Sequence, residues 1–286
     1  MQTKLKPQYT AFIVILQTTF MKKYFLLPLL SFCISSSFAQ KGKLLKGMYL
    51  QWGYNTEWYT KSNIHFRLSN GDNFTLNKAR AHDKPDLEAI YKAPTDISIP
   101  QYNYRLGFYL NDSHTKAIEI NFDHIKYVVT DGQKVRVTGR IGGVQISADS
   151  ILDPQRFLHF EHTDGGNLLH INYVQQKTLA LNAAKTRPLI NLVWKAGAGI
   201  NIPRTDFTYK GDRLNNAFHV AGYNVSGEAG ARFYFSKRLF FEGTGKTGYV
   251  RYVNALVNTN AAKGNRASHG FGYFELIGLI GYDFKF

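Results

Sequence analysis

The last stretch of the chain, residues 270–286, reads GFGYFELIGLIGYDFKF and alternates along its length. Phe274, Leu276, Ile280, Tyr282, Phe284 and Phe286 share one face with Gly278. Glu275, Asp283 and Lys285 share the other with Ile277, Leu279 and Gly281. A period of two places alternate side chains on opposite sides of a sheet. Seven earlier segments repeat the pattern: 47–58, 100–110, 116–129, 167–177, 189–202, 218–235 and 238–253. In 47–58, for example, Met48, Leu50, Trp52 and Tyr54 oppose Gln51, Gly53, Asn55 and Glu57. In 189–202, Ile190, Leu192, Trp194 and Ile200 oppose Asn191, Lys195, Gly199 and Asn201.

The connectors alternate in length. Residues 111–115, 180–188 and 236–237 are short, whereas 59–99, 130–166, 203–217 and 254–270 are long. Short turns on one side and long loops on the other are the arrangement of a membrane barrel with both termini in the periplasm. The pattern therefore predicts an all-β fold, an eight-stranded antiparallel up-and-down transmembrane β-barrel with long extracellular loops. Within the first long loop, alternation around Asn70-Gly71-Asp72 predicts a hairpin projecting beyond the membrane.

The other end of the chain carries an export pattern. Lys22 and Lys23 precede an apolar run from 24 to 34, and Ser37-Phe38-Ala39 forms a small-x-small cleavage site. The domain reading is an N-terminal extension over 1–20, a signal peptide over 21–39, and a barrel domain over 40–286. Cleavage after Ala39 removes Cys33, the only cysteine, which excludes disulfides and thiolate metal sites. It also removes Lys4, Lys6, Lys22 and Lys23, taking the net charge from +15 to +11. For an exported chain that excess points to phosphate-bearing lipid surfaces rather than to nucleic acid.

If the apolar faces meet lipid, the opposite faces line the interior. They carry Arg105, Glu119, Asp123, Lys195, Glu228, Arg232, Glu242, Lys246, Glu275 and Asp283. Eight strands leave an interior just wide enough to be filled by side chains. Charges in that space must pair, which predicts an ion-paired plug rather than a pore. Tyr49, Trp58, Tyr102, Tyr109, Tyr127, Tyr234, Tyr282 and Phe284 lie near strand ends, where interfacial girdles are expected.

On the long-loop side, Asp123-His124 and Glu161-His162-Thr163-Asp164 fall on neighbouring strands. His124, His162 and Asp164 are therefore candidates for a base with a carboxylate partner, and Ser268-His269 for an added nucleophile. His65, His82 and Asp83 match no metal-site spacing, and no cofactor is expected. The glycine-rich run 243–248 lacks the four-residue gap of a phosphate-binding loop. Arg67, Lys78, Arg80 and Lys84 give the projecting hairpin a basic side suited to lipopolysaccharide phosphates.

The motifs WGYNTEWYTKSNIHF (52–66), FDHIKY (122–127) and HTDG (162–165) resemble a family of uncharacterised outer-membrane β-barrel proteins of Gram-negative bacteria. In the larger sense the chain is similar to the small OmpA/OmpX-type barrels. The resemblance implies a fold and a location in the outer membrane, and it brings no catalytic residues. It leaves three readings open: an envelope-integrity or surface-interaction barrel, a lipid-modifying hydrolase or acyltransferase, and a narrow solute channel. The expected partners are outer-membrane lipid and lipopolysaccharide. The barrel-assembly machinery is expected to engage the strand ending at Phe286, and the chain is expected to act as a monomer.

Overall fold

The computed structural model describes residues 45–85, 87–92 and 101–285. The expected extension, signal peptide and terminal Phe286 lie outside the described residues. Eight long strands correspond to the eight alternating segments. They are β1 (Gly47–Tyr59), β5 (Tyr102–Tyr109), β6 (Lys116–Asp123), β11 (Gly166–Leu181), β12 (Pro188–Pro203), β15 (Gly222–Tyr234), β16 (Leu239–Leu256) and β17 (Arg266–Lys285). All are antiparallel, each hydrogen-bonded to its neighbour in that order, and β1 also pairs with β17 from Gly47↔Lys285 to Tyr59↔Tyr273.

The register puts each alternating face where the sequence pattern needs it. Exposed apolar side chains occur on every one of these strands or at its margin, including Trp58, Tyr104, Ile120, Ile171, Trp194, Val225, Phe241 and Phe274. The opposite faces are buried and mostly polar. Of the six tyrosines expected there, Tyr49, Tyr109, Tyr127 and Tyr234 are buried, which corrects the girdle expectation for those four, and Tyr102 is partly buried. At inward parity, a tyrosine near a strand end points to the interior rather than to an interface. Trp58, Tyr282 and Phe284 are exposed.

The long connectors are themselves folded. The first holds β2 (Ser62–Arg67), β3 (Asn73–Ala79), β4 (Ala81–His82) and the short helix α1 (Leu87–Lys92). The second holds β7 (Tyr127–Val129), β8 (Lys134–Ile141), β9 (Val144–Ile151) and β10 (Leu158–His162), and the third holds β13 (Asp206–Tyr209) and β14 (Asp212–Asn215). The expected hairpin around 70–72 is β2–β3. The expected single segment 116–129 is broken at 124–126: β6 pairs with β11 in the first sheet, whereas β7 pairs with β10 in the second.

Two layers result above the eight long strands. β2, β3, β8 and β9 extend the first sheet from the far end of β17, and β14, β13, β10, β7 and β4 form the second. Their inner faces meet in an apolar core. Phe66 of β2 packs 5.5 Å from both Phe160 and Phe207, and Phe74 of β3 lies 5.8 Å from Tyr209. The β8–β9 hairpin turns on Gly142 and Gly143, both at positive φ, the conformation a two-residue hairpin requires.

Packing inside the eight strands depends on Gly107. A Cβ built there would lie 2.0 Å from the Tyr49 ring, so the missing side chain makes room for that aromatic. Gly107→Val should destabilise the folded state by about 1–3 kcal/mol, read as a lower urea midpoint in detergent micelles. Tyr49→Ala in the same chain should recover part of the loss. An unchanged midpoint for Gly107→Val would sink this account of the packing.

Candidate functional site: charged interior, histidine chain and outer groove

The buried face of the eight strands is built in layers. At the short-connector end, Tyr49, Tyr109, Val174, Val193, Tyr234 and Phe240 form an aromatic and aliphatic cluster. Arg232 crosses it, 4.0 Å from the Phe240 ring centre and 4.5 Å from that of Tyr49. Its Nε donates to Glu242 at 2.8 Å and its Nη1 to the Tyr109 hydroxyl at 2.9 Å, and that hydroxyl donates to Asp283 at 2.8 Å.

The next layer centres on Lys195. Its ammonium lies 2.7 Å from Glu242, 3.1 Å from Glu119 and 3.3 Å from Glu228. Arg105 pairs with Glu228 at 2.8 Å and Glu119 at 3.2 Å, and the Tyr49 hydroxyl donates to Glu119 at 2.7 Å. Farther along, Lys246 pairs with Asp123 and lies 3.8 Å from Glu275. Asn55 donates to Glu275 at 2.5 Å, while Asn103 donates to both Asp123 and Glu275. All ten charged residues singled out for the interior are buried, and each of the four bases meets at least one of the six acids.

Sequence reasoning missed the polar groups that complete these layers. Gln101 donates to Glu57 at 2.9 Å and to Asp83 at 2.6 Å, and Thr56 donates to the same Asp83 at 2.9 Å. The first long connector thus folds back over the end of the charged interior. Asn55 and Glu57 were legible as inward positions of 47–58; Asp83 lies in irregular chain, where no periodicity marks its direction.

The histidine segments are neighbours, because β7 pairs with β10 through Tyr127↔His162. Their candidate side chains go different ways. His124 hydrogen-bonds Asn167 at 2.8 Å and stacks on Tyr102, while Asp164 is bound by Asn215. His162 turns into the apolar core, with Nδ1 3.0 Å from the Thr205 hydroxyl and Nε2 3.1 Å from Nε2 of His269. His269 in turn faces Ser62 at 3.5 Å, and the Ser62 hydroxyl donates to the Gly270 carbonyl at 3.0 Å. One set of neutral tautomers satisfies this chain: Thr205 donates to His162, His162 to His269, and His269 to Ser62. Ser268 points to the opposite face, paired in register with His65.

A groove of about 620 Å³ opens on the outer side of the second sheet, lined by Lys84, Asp131, His159, Glu161, Thr208 and Arg213 among others. His159 sits between two carboxylates, 2.8 Å from Asp131 and 3.4 Å from Glu161. Burial alone would lower the imidazole, but the hydrogen bonds it donates to Glu161 and Asp131 outweigh it and raise its pKa to about 9. Burial would raise Glu161, yet His159 and Thr163 hold it at about 2. Arg213 is held by Asp206 across the β13–β14 pair. Every charge in the groove faces an opposite charge within the described residues, and Lys84 helps to hold Glu161 low.

Of the four basic candidates for lipopolysaccharide, Lys84 lines this groove and Arg67 is exposed on the outer side of the first sheet. Lys78 sits at a positive-φ irregularity in β3, and Arg80 is exposed just after it. The four do not share one face. Among the described residues no group of His, Cys, Asp and Glu has the geometry of a metal site.

No family profile and no curated protein matches this sequence. Solved structures of outer-membrane proteins are similar in fold, among them the following three. The outer membrane protein OprG from Pseudomonas aeruginosa is 13% identical, covering 85% of this chain and 98% of its own, at a TM-score of 0.39. The outer membrane protease OmpT from Escherichia coli is 7% identical, covering 87% and 100%, at 0.36. Neisserial surface protein A is 8% identical, covering 80% and 96%, at 0.32. Scores below 0.5 leave the architecture to be argued from the pairing and burial of this chain.

Two outcomes follow from the charges. Lys195→Met leaves Glu119, Glu228 and Glu242 short of a shared cation and should cost about 3–5 kcal/mol in urea unfolding. Glu242→Gln added to it should restore part of the loss, and additive losses would refute the shared role. The second outcome concerns pH. Burial, helped by His219, depresses His162 to about 3 from 6.5. Its stabilisation is therefore full above pH 6.5 and falls as pH drops toward 3. The raised His159 acts oppositely, its contribution being lost as pH rises through about 9. Protection of the β10 amides, their exchange taken relative to the intrinsic rate at each pH, should thus be greatest between these limits, and His162→Phe should weaken the acid arm and leave the alkaline arm.

Proposed function

We propose that the chain is a bacterial outer-membrane protein whose eight long strands close into a sealed transmembrane barrel. In this reading the barrel holds the two-layer β-cap at the cell surface, where the cap serves a surface-interaction or envelope-integrity role. The observation that carries it is the inverted polarity of the eight strands. Their outer faces are apolar and exposed, and their inner faces are charged and paired. Apolar exposure of this extent marks contact with lipid or a partner. A spanning sheet must also leave no strand edge unpaired, and the β1–β17 ladder supplies the missing edge.

The interior favours a seal over a channel, because aromatic, ionic and apolar layers follow one another along its length. A hydrolase or acyltransferase reading finds no support in geometry, since His124, His162 and Asp164 each bind a different neighbour. Lipid around the belt, lipopolysaccharide phosphates near Lys78, Arg80 and Lys84, and handling by the barrel-assembly machinery belong to the same proposal, as does a monomeric state.

The test is refolding of the chain into detergent followed by insertion into planar bilayers. A heat-sensitive shift in gel migration should mark the closed barrel, and the membrane should carry no sustained current. Steady open-channel currents would refute the seal, and the absence of any migration shift would count against the barrel itself.

A further inference from the structure

The outward face of the first sheet, where it extends above the long strands, carries an uncompensated row of arginines. Arg266 of β17 stands directly opposite Arg67 of β2, Arg67 opposite Asn73 of β3, and Asn73 opposite Arg140 of β8. Cross-strand partners share a face, so the three guanidinium groups spread over about 15 Å at the usual spacing of roughly 4.8 Å per strand. Among the described residues none of the three has a carboxylate within ion-pair distance. The one acid on this face, Asp149 of β9, is held at 3.4 Å by both Lys134 and Arg136. Like charges directly opposite each other on a sheet are unfavourable. Arg67↔Arg266 is therefore a cost to the fold: Arg266 Nη1 donates to the Asn265 carbonyl at 2.7 Å, but no carboxylate among the described residues neutralises the pair.

The neighbouring cross-strand row is of a different kind. His65, Thr75, Thr138 and Ser147 follow one another from β2 to β9, with His65 Nδ1 3.0 Å from the Thr75 hydroxyl. A row of cations beside a row of hydroxyls and an imidazole is complementary to a chain bearing both anionic groups and hydroxyls. We propose that this face binds an extended anionic polysaccharide, its charged groups on Arg266, Arg67 and Arg140 and its hydroxyls along His65, Thr75 and Thr138.

The height of the row selects this occupant over lipid headgroups, and that step rests on the transmembrane reading. Arg266 lies eight residues beyond Phe274, the last large exposed apolar side chain on β17. At about 3.3 Å per residue and a tilt of roughly 40°, this is about 20 Å above the belt. Headgroups reach only about 5–8 Å beyond the hydrocarbon. The occupant must stand off the membrane.

The experiment uses the full chain in phosphatidylcholine nanodiscs over immobilised dextran sulfate, with neutral dextran as the blank. Saturable binding should appear on the sulfated chain only and weaken steeply between about 0.05 M and about 0.5 M NaCl. Arg67→Glu converts the like-charge pair into an opposite one, so binding should fall at least about tenfold while the melting temperature holds or rises. Arg140→Ala should lose roughly three- to tenfold, and Asp149→Asn, which frees Lys134 and Arg136, should gain roughly two- to fivefold. Arg156→Glu, in the turn before β10, should change nothing.

Equal loss in Arg156→Glu would reduce the effect to net charge and overturn the site. So would wild-type binding by Arg67→Glu, or capture by nanodiscs containing lipopolysaccharide with none by dextran sulfate. Heat-shifted migration of each variant reports the barrel separately, so a failed barrel is distinguishable from a failed site. If Arg67→Glu does not fold, Arg140→Ala and Arg266→Ala carry the same reading.

Discussion

Backbone pairing between β1 and β17 is the contact on which the rest of the structure depends. It joins the first long strand to the last across the whole sequence, from Gly47↔Lys285 to Tyr59↔Tyr273. Without it two strand edges would each present a row of unpaired amides and carbonyls, which the lipid of the proposed setting could not solvate. With it, every inward side chain faces others across a shared interior. The charged groups then have no recourse to water, and pairing becomes obligatory. Lys195 among three carboxylates and Arg232 between two aromatic rings are consequences of that enclosure.

The eight long strands were legible because a period of two is a global signal. It survives errors of a few residues at each end, and the alternation of connector lengths reports topology independently. The inward charges were legible by parity alone, and all ten are buried. Parity also explains the misplaced tyrosines. Tyr49 and Tyr109 occupy the same faces as Gln51 and Arg105, and composition near a strand end does not override that count.

What the sequence hid was the order within the long connectors. Residues 134–151 read KVRVTGRIGGVQISADSI, an alternating run split by two glycines, and they form β8 and β9. Lys210-Gly211 makes the β13–β14 turn in the same way. Both turns carry a local signal that length alone obscured. The histidines were harder. Whether His162 meets Asp164 or His269 depends on which face of β10 packs against the opposite sheet, and pairing between distant segments decides that. The arginine row was invisible for the same reason, since Arg67, Arg140 and Arg266 are neighbours only through the register of four strands.

A single strand carries two solvents' rules. Along β17 the inward positions run from Asp283 and Glu275 to Tyr273, Phe271 and Ala267, passing from charged to apolar. The outward positions run the other way, from Tyr282, Leu276 and Phe274 to Arg266. β16 makes the same exchange on its inward face, with Lys246 below and Tyr252 and Ala255 above. An apolar core with a polar surface is the arrangement water imposes, and its inverse is the one lipid imposes. The residues where both faces of β17 exchange, near 272–274, therefore mark the outer surface of the membrane in the proposed barrel. Hydrogen-bonded strands cross that level without a break in β16 and β17. In β6–β7 and β1–β2 the chain bends at 124–126 and at 60–61, which lets the two layers separate and enclose a core of their own. The cap is thus built by prolonging the long strands, and in the proposed barrel its position is set by the same ladders that join those strands.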